Sequence, residues 1–453
     1  MTKKIEDLIQ RYNVAAPRYT SYPTVPYWDS QTWHADAWVA HVRSQFEASS
    51  GRGISLYVHL PFCERLCTYC GCNTRITRNH SVEVPYIDSL LSEWLLYRSY
   101  LGMPEIPIRE LHLGGGTPTF FAPEQLQRLM DGLLKGNRVL ADAAFSFEAH
   151  PANTSDEHLQ VLYQAGFRRL SLGIQDFNPQ VQQAINRKQT EADVQRVMES
   201  ARRIGYTSIN FDLIYGLPLQ TQQRVQDTIE KALAMLPDRI SFYSYAHVPW
   251  MKPGQRGYTE ADLPVGKVKL DLYKEGKKLI EAAGYRDVGM DHFALPNDTL
   301  CQAADTGQLH RNFMGYTDRY TPLLIGLGVS SISDSWTAFA QNVKTVEAYQ
   351  ALVSAGKLPV FKGHALSSDD LVVRKYILDI MCRGTTSLRG GTPLSARILS
   401  RLVPMFEDGL VQQDGDRISV TKLGEAFLRN ICMAFDERLH EKQFEQPVFS
   451  TAV

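Results

Sequence analysis

The sequence ISLYVHLPFCERLCTYCGC, residues 54–72, joins a β-rich run directly to a loop that is dense in cysteine. Its first residues predict a strand, because branched and aromatic side chains dominate them. The four cysteines of the loop are Cys63, Cys67, Cys70 and Cys72. Their spacing, C-x3-C-x2-C followed by C-x-C, indicates metal binding or redox chemistry in a loop at the end of a strand.

Three of these thiols are candidate ligands of one 4Fe-4S cluster: Cys63, Cys67 and Cys70. Such a cluster normally takes four cysteine ligands. Three protein ligands leave one iron open, and an open metal position is what catalysis requires. Two alternatives remain open at this point. Cys72 can complete a four-cysteine zinc site, or Cys67 and Cys70 can form a redox-active disulfide.

The bulk composition is that of a globular protein with more than one structural unit. The chain has 453 residues, of which 44% are hydrophobic, and a formal net charge of −1. This charge does not predict a nucleic-acid partner. No apolar run reaches the roughly 20 residues that span a bilayer, and residues 1–12 lack the apolar block of a secretory signal. We therefore expect a soluble, cytoplasmic protein without a membrane partner.

From residue 54 onward, β-rich runs alternate with amphipathic helical segments. The predicted strands cover 54–58, 110–113, 145–149, 170–175, 208–215 and 240–246. The predicted helices cover 84–100, 123–135, 155–165, 189–204, 221–236 and 264–283. This alternation predicts an α/β fold with a parallel sheet, and six strands are compatible with an open sheet or a partial barrel.

The chain is predicted to divide into three parts. An N-terminal arm covers 1–53, the catalytic unit covers 54–355, and a small helical domain covers 364–453. Two prolines make residues 17–24 extended and irregular. Residues 356–363 are predicted to be a linker, and Ser367 with Ser368 predicts a helix N-terminus.

The cysteine loop after a first strand resembles the signature of the radical S-adenosylmethionine (SAM) superfamily. Further motifs along the chain resemble the oxygen-independent coproporphyrinogen III oxidase family of that superfamily. They are PRYTSYPT (17–24), CGCN (70–73), GGGTPT (114–119), DLIYGLP (212–218), YAH (245–247), MDHFA (290–294), HRNF (310–313) and RNICMAFD (429–436). The resemblance implies a partial (βα)6 barrel with an N-terminal arm that faces the substrate and a C-terminal helical domain.

The resemblance also implies a set of cofactor contacts. A 4Fe-4S cluster and two SAM molecules per chain are expected, with no catalytic side chain assigned beyond them. One SAM is expected to contact Tyr57, Gly115, Glu148 and Ile332. The second is expected to contact Tyr69, Gly116, Thr117, Gln175, Arg187, Asp212 and Ala246. Cys72 is expected to act outside cluster ligation, near the second SAM.

Polar residues at strand ends support part of this set without the resemblance. Glu148 and Gln175 end the third and fourth predicted strands, and Asp212 lies within the fifth. Ligands of α/β folds bind at the carboxyl ends of parallel strands. A salt bridge between Asp212 and Arg187 is the structural alternative, because a buried charge needs a partner.

The implied reaction is the oxidative decarboxylation of two propionates of coproporphyrinogen III to vinyl groups, which gives protoporphyrinogen IX in anaerobic haem biosynthesis. An electron donor and a monomeric enzyme are expected. Arginines suit the substrate carboxylates, so Arg18, Arg311 and Arg429 are candidate contacts, as is Tyr22 through ring packing. Ordinary ion pairing is the alternative role of each arginine. The alternative functions are a haem-binding chaperone, a haem-degrading radical SAM relative and a zinc-stabilised binding module.

Overall fold

Strand β1 (Ile54–Leu60) lies in the interior of the main sheet in this computed structural model of the chain, which describes residues 2–49, 51–441 and 448–451. All of its residues are buried, as expected for a parallel strand that is covered on both faces. Residues 1, 50, 442–447 and 452–453 belong to the predicted arm and the predicted C-terminal domain and lie outside the described residues.

Helices and strands alternate along most of the chain. The α-helices are α1 (Thr2–Tyr12), α2 (Ala35–Ala48), α3 (Glu83–Leu101), α4 (Pro123–Leu134), α5 (Asp156–Gln164), α6 (Pro179–Ala184), α7 (Glu191–Ile204), α8 (Gln222–Ala234), α9 (Gly266–Ala282), α10 (Thr299–Asp305), α11 (Val346–Ser354), α12 (Ser368–Arg383), α13 (Pro393–Glu407), α14 (Leu428–Phe435) and α15 (Glu437–Glu441). The strands after β1 are β2 (Phe62–Cys63), β3 (Arg75–Ile76), β4 (Pro107–Gly115), β5 (Arg138–Ala149), β6 (Phe167–Gln175), β7 (Ser208–Tyr215), β8 (Arg239–Ser244), β9 (Arg286–Gly289), β10 (His292–Ala294), β11 (His310–Asn312), β12 (Gly315–Thr317), β13 (Leu324–Leu327), β14 (Ile332–Asp334), β15 (Ala338–Asn342), β16 (Val360–Ala365), β17 (Thr385–Ser387), β18 (Val411–Asp414) and β19 (Arg417–Val420).

Seven neighbouring strands of the main sheet run parallel, in the order β13-β1-β4-β5-β6-β7-β8. Antiparallel strands extend this sheet, with β14, β15 and β16 beyond β13 and with β10 and β9 beyond β8. Over the described residues, the order begins at β16 and ends at β9 without closing on itself. The predicted α/β fold is confirmed, and β1 with β4 to β8 are the six strands of the partial barrel.

The predicted elements of the barrel are all present. Strand β7 has the predicted bounds, whereas β4, β5 and β6 begin earlier than predicted. The predicted helices are α3, α4, α5, α7, α8 and α9. Reciprocal side-chain caps define two helix starts: Thr190 with Asp193 begins α7, and Ser367 with Asp370 begins α12. These caps satisfy backbone N–H groups that the first helical turn leaves free, so the predicted N-terminus at Ser367 is confirmed.

Two connecting segments differ from the sequence-based prediction. The linker predicted over 356–363 is wrong, because β16 begins inside it and pairs antiparallel with β15. The arm contains helix α2, whose Trp38 and Val42 are fully buried in the core of the main sheet. Both segments take their structure from partners that are distant in sequence, and a local pattern does not show such partners. Residues 17–24 contain no helix or strand, as predicted.

The C-terminal region has an apolar core of its own. Side chains of α12, α13 and α14 contribute to it, together with those of a small sheet, β17-β19-β18, that the sequence did not predict. Leu8, Ile9 and Tyr12 of α1 belong to the same core, so the start of the chain packs against its end. Within the described ranges, no helix has both the length and the apolar character that crossing a bilayer requires.

Candidate active site

Backbone hydrogen bonds pin the cysteine loop to the glycine loop that follows β4. Gly116 N donates to Leu60 O (2.8 Å) and Thr117 N donates to Phe62 O (3.0 Å). The four cysteines are free thiols, and they line one cavity of about 520 Å³. The ends of β4, β5 and β6 border the same cavity, so the thiols lie at the sheet edge where α/β proteins bind ligands.

Positive charge and hydrogen bonds surround the thiols. Arg187 Nη1 donates to Cys67 Sγ (3.6 Å) and to the Tyr69 hydroxyl (3.4 Å). A hydrogen bond with Cys72 lowers the pKa of the Cys70 thiol to about 7, whereas burial raises the pKa of Cys63 to about 12. A bound cation reverses the effect of burial, because a coordinating thiol is deprotonated outright.

The donor set fits an iron–sulfur cluster. Among the residues that the structure describes, no three His, Cys, Asp or Glu side chains surround one point as ligands of a single metal ion. A 4Fe-4S cluster makes a different demand, because each cysteine binds an iron of its own. Three thiols that border a cavity, with a guanidinium beside one of them, meet that demand.

Two glycines allow the loops to approach each other this closely. Gly115 has a φ of 118°, and a Cβ built on it would lie 2.8 Å from the His59 ring. A Cβ on Gly116 would lie 2.6 Å from the carbonyl oxygen of Pro61. Side chains at these positions would push the glycine loop away from the thiols, so the glycines serve a close backbone approach.

Two carboxyl groups that line the cavity, Glu148 of β5 and Asp212 of β7, differ in the direction of their pKa shifts. Burial opposes the ionisation of Glu148, but hydrogen bonds from His112 and from Gly115 N outweigh it and lower the pKa of Glu148. Burial raises the pKa of Asp212 to about 6, against hydrogen bonds from Ser171 and Asn210 (both 2.9 Å). The lining of the cavity therefore includes both a carboxylate that is readily ionised and a carboxyl group with a pKa of about 6.

Most of the predicted cluster and cofactor residues border this cavity. They are Cys63, Cys67, Cys70, Cys72, Tyr69, Gly115, Gly116, Thr117, Glu148, Gln175, Arg187 and Asp212. The alternative ion pair of Asp212 with Arg187 is not among the contacts of either side chain, because Asp212 accepts from Ser171 and Asn210 while Arg187 donates to Gln189, Tyr69, Cys67 and the Gly173 carbonyl.

Three predicted cofactor residues, Tyr57, Ala246 and Ile332, are not part of the cavity lining. The Tyr57 ring stacks on His112, which contacts Glu148. Ile332 begins β14 and its carbonyl lies against Gly326, the partner of Tyr57 in the sheet. The Ala246 carbonyl accepts from Gln255 Nε2 (3.1 Å), which also donates to the Tyr69 carbonyl (3.0 Å).

The four candidate substrate residues lie outside the cavity lining. Arg429 donates to the carbonyls of Ala16, Pro17, Ser450 and Thr451. Tyr22 is buried in the C-terminal core. Arg311 is buried with its guanidinium 4.6 Å from the Tyr316 ring centroid. Arg18 is partly exposed and donates to the Ser244 carbonyl.

Sequence reasoning missed two residues that support the loop. His59 contacts the Tyr57 hydroxyl through Nδ1 (2.9 Å) and the Asn73 carbonyl through Nε2 (2.9 Å), so it joins β1 to the far end of the cysteine loop. A single histidine beside a motif gives no such signal. Gln255 lies in a stretch without periodicity, and nothing in the sequence points to it.

A larger cavity of about 860 Å³ opens elsewhere, near the starts of β4 and β5. Its lining includes Arg109, Asp142, His310 and Trp336 and none of the predicted site residues. Size alone does not identify an active site, whereas converging thiols, glycines and carboxylates with shifted pKa values do.

Comparisons with known proteins agree with this geometry. Residues 57–232 match the model of the Radical SAM superfamily. An oxygen-independent coproporphyrinogen III oxidase from Escherichia coli is 40% identical to this chain over 446 residues, which cover 96% of this chain and 95% of the relative. The protein of the same name from Synechocystis is 36% identical over 459 residues, covering 99% and 97%. The solved structure of coproporphyrinogen III oxidase from Escherichia coli, a radical SAM enzyme, matches with a TM-score of 0.87 at 37% identity and covers 95% of this chain and 98% of that chain.

Proposed function

Because the chain belongs to the oxygen-independent coproporphyrinogen III oxidase family of radical SAM enzymes, we propose that it converts two propionates of coproporphyrinogen III to vinyl groups, giving protoporphyrinogen IX. Each conversion removes CO2, one hydrogen atom and one electron from a propionate. The cavity that brings three thiols, the glycine loop and two carboxylates together carries this proposal.

The cluster would be held by Cys63, Cys67 and Cys70, and the cluster with SAM supplies one-electron chemistry that removes a hydrogen atom from the substrate. The role of the protein is to bind, orient and shield. Arg187 donates to the Cys67 sulfur and stabilises negative charge on it. The ionised Glu148 offers an acceptor for the ammonium or hydroxyl groups of SAM. Orientation at fixed distance is the larger part of the catalytic task.

Two SAM molecules per chain are part of the proposal. The first would contact Tyr57, Gly115, Glu148 and Ile332. The second would contact Tyr69, Gly116, Thr117, Gln175, Arg187, Asp212 and Ala246, with Cys72 nearby. Support comes from the single cavity that two residues of the first set, Gly115 and Glu148, and every residue of the second set except Ala246 border. Equilibrium dialysis of the reconstituted enzyme with labelled SAM counts the sites, and one SAM per cluster would overturn this part.

The direct test is anaerobic turnover. The reconstituted protein is incubated with SAM, a low-potential reductant and coproporphyrinogen III, and the products are identified by chromatography and mass spectrometry. We expect SAM-dependent formation of the divinyl product, with none from a Cys67→Ser control. Tight haem binding without vinyl product would favour the haem-chaperone alternative, and zinc in place of iron would favour the binding module. An electron donor is required in the cell, and we propose that the enzyme acts as a monomer, which light scattering tests.

A further inference from the structure

Cations gather in a seam where the N-terminal arm, the end of β8 and the C-terminal helix α14 meet. We call this the seam cluster; it comprises Arg18, Lys269, Asp291, Arg311 and Arg429. Arg18 Nη2 donates to Ser244 O (2.9 Å) and Lys269 Nζ donates to Tyr245 O (3.0 Å). These carbonyls directly follow Tyr243, which lines the cofactor cavity. The seam therefore begins within two residues of the cavity wall.

The seam cluster holds four cations and one carboxylate. The Asp291 carboxylate lies 3.9 Å from Arg18 Nη1, and its side chain is 12% exposed. The charges of Arg18, Arg429 and Arg311 all act on it. Asp287, the next acid in the neighbourhood, is bound by Lys277. Positive charge thus exceeds negative charge in a poorly solvated place, which is unfavourable until an anion enters.

Two members of the seam cluster, Lys269 and Arg311, are affected by this environment. Burial, and then the charges of Arg18 and Arg429, lower the pKa of Lys269 to about 8. Arg311 is 6% exposed, and its Nε and Nη1 are buried without a hydrogen-bond partner among the described residues. A buried donor without an acceptor is unfavourable, and a carboxylate ligand would remove that penalty.

We propose that the seam cluster binds carboxylates of the substrate that are not reacting, and that Lys269 is one of the contact residues. The inference rests on the proposed function, because the ligand is the tetracarboxylate substrate. While one propionate reacts, three others need counter-charges outside the cavity. Asp291 keeps the cations together between turnovers. Arg429 contributes charge rather than contacts, since backbone carbonyls occupy its donors.

Anaerobic equilibrium dialysis of the reconstituted enzyme with coproporphyrinogen III, without SAM, measures binding apart from turnover. We expect Lys269→Met to weaken binding about tenfold, which corresponds to about 1.4 kcal/mol for one charge-assisted contact. Lys269→Arg retains the charge and should bind as the parent enzyme does. Lys278→Met is the matched control, because Lys278 lies on the same helix and is 74% exposed.

The tetramethyl ester of coproporphyrinogen III provides the second arm, because it has the ring but no carboxylates. We expect Lys269→Met to leave its binding unchanged. If Lys269→Met and Lys278→Met bind the free acid equally, or if the substitution weakens acid and ester alike, the seam proposal is overturned. The iron content of each variant shows that the cluster site is intact.

Turnover separates this inference from the proposed function. If the parent enzyme forms vinyl product and Lys269→Met binds the substrate with unchanged affinity, the seam proposal is wrong and the proposed function stands. If binding depends on the charge of Lys269 but no vinyl product forms, the seam proposal stands and the proposed function is wrong. In a functional enzyme, the variant should raise KM for coproporphyrinogen III far more than it lowers kcat.

Discussion

Cys72 lies one residue beyond Cys70, and its backbone N–H donates to the Cys70 sulfur (3.4 Å). Cys72 is the most exposed of the four cysteine residues, and it lines the cavity. At the scale of the residue, this contact makes Cys72 a support for a candidate ligand, while Cys63, Cys67 and Cys70 carry the family spacing. Substitution of Cys72 and of Cys67 can distinguish a cluster ligand from a residue that only supports a ligand.

We predict that Cys72→Ser retains iron and sulfide but lowers the rate of vinyl formation about 10- to 100-fold, the range for partners of metal ligands. Serine keeps the backbone donor to Cys70 and removes only the thiol beside the cofactor. Cys67→Ser should instead lose the cluster. Iron analysis, visible absorbance and product formation, all without air, are the measurements. Loss of iron in the Cys72 variant would show that it is a ligand.

A second residue-scale prediction concerns the buried carboxyl group of Glu93 on α3. It accepts from Gly328 N (2.8 Å), Asn342 Nδ2 (2.7 Å) and the Tyr349 hydroxyl (2.7 Å). Burial nevertheless raises the pKa of Glu93 to about 7 from its ordinary 4.5. Because the folded pKa is the higher one, the protonated form contributes stability below pH 4.5, and that contribution is lost as pH rises to about 7.

The difference between 4.5 and about 7 is worth about 3 kcal/mol. Glu93→Gln is neutral at every pH and should abolish this fall in stability between pH 5 and pH 8. Thermal unfolding at several pH values measures it. Asp88→Asn, on the same helix and 52% exposed, is the control and should follow the parent protein. A Glu93→Gln variant with the parental pH dependence would contradict the prediction.

At the scale of elements, the parallel strands could be predicted because each one is a short β-rich run that alternates with an amphipathic helical segment. Helix starts such as those of α7 and α12 could be predicted because their caps are local in sequence. Strand β16 and helix α2 could not, since their partners lie far along the chain. The thiols and glycines of the site carry sequence motifs, whereas Gln255 acts through two carbonyls that only the folded chain brings together.

A substitution at Gly116 tests the close approach of the glycine loop to the cysteine loop. A Cβ on Gly116 would meet two backbone carbonyl oxygens, of Pro61 at 2.6 Å and of Phe62 at 2.8 Å, and a backbone cannot turn aside as a side chain does. Gly116→Ala should therefore cost about 1–3 kcal/mol of stability and reduce cluster content. Gly257→Ala, whose Cβ would have one contact at 3.8 Å, is the control. Equal melting temperatures and iron contents for the Gly116→Ala and Gly257→Ala variants would contradict this prediction.

At the scale of the whole molecule, Arg429 fastens the two ends of the chain together. Its guanidinium donates to Pro17 O (3.2 Å) and the Ala16 carbonyl in the arm, and to Thr451 O (2.9 Å) and Ser450 O (3.3 Å) in the tail. Helix α1 packs into the same C-terminal core. The arm that carries Arg18 is therefore held in place by the opposite terminus.

We predict that Arg429→Met loosens the arm, because methionine keeps the apolar stem and loses every donor. Local opening should become at least about tenfold more frequent, given the 1.5–3 kcal/mol that hydrogen bonds of charged groups contribute. Limited proteolysis, followed by mass spectrometry of cleavage before residue 30, measures the change. Lys422→Met, at a side chain 83% exposed, should be cleaved at the parental rate, and equal rates for both variants would exclude a fastening role.

Four backbone hydrogen bonds of the cysteine loop involve no sulfur: Gly116 N to Leu60 O, Thr117 N to Phe62 O, Arg75 N to Pro61 O and Thr77 N to Cys63 O. A zinc finger, by contrast, unfolds without its metal. We therefore expect damage by air to strip the inorganic core and spare the polypeptide. The cluster could then be rebuilt in the folded polypeptide from iron and sulfide, without new protein synthesis.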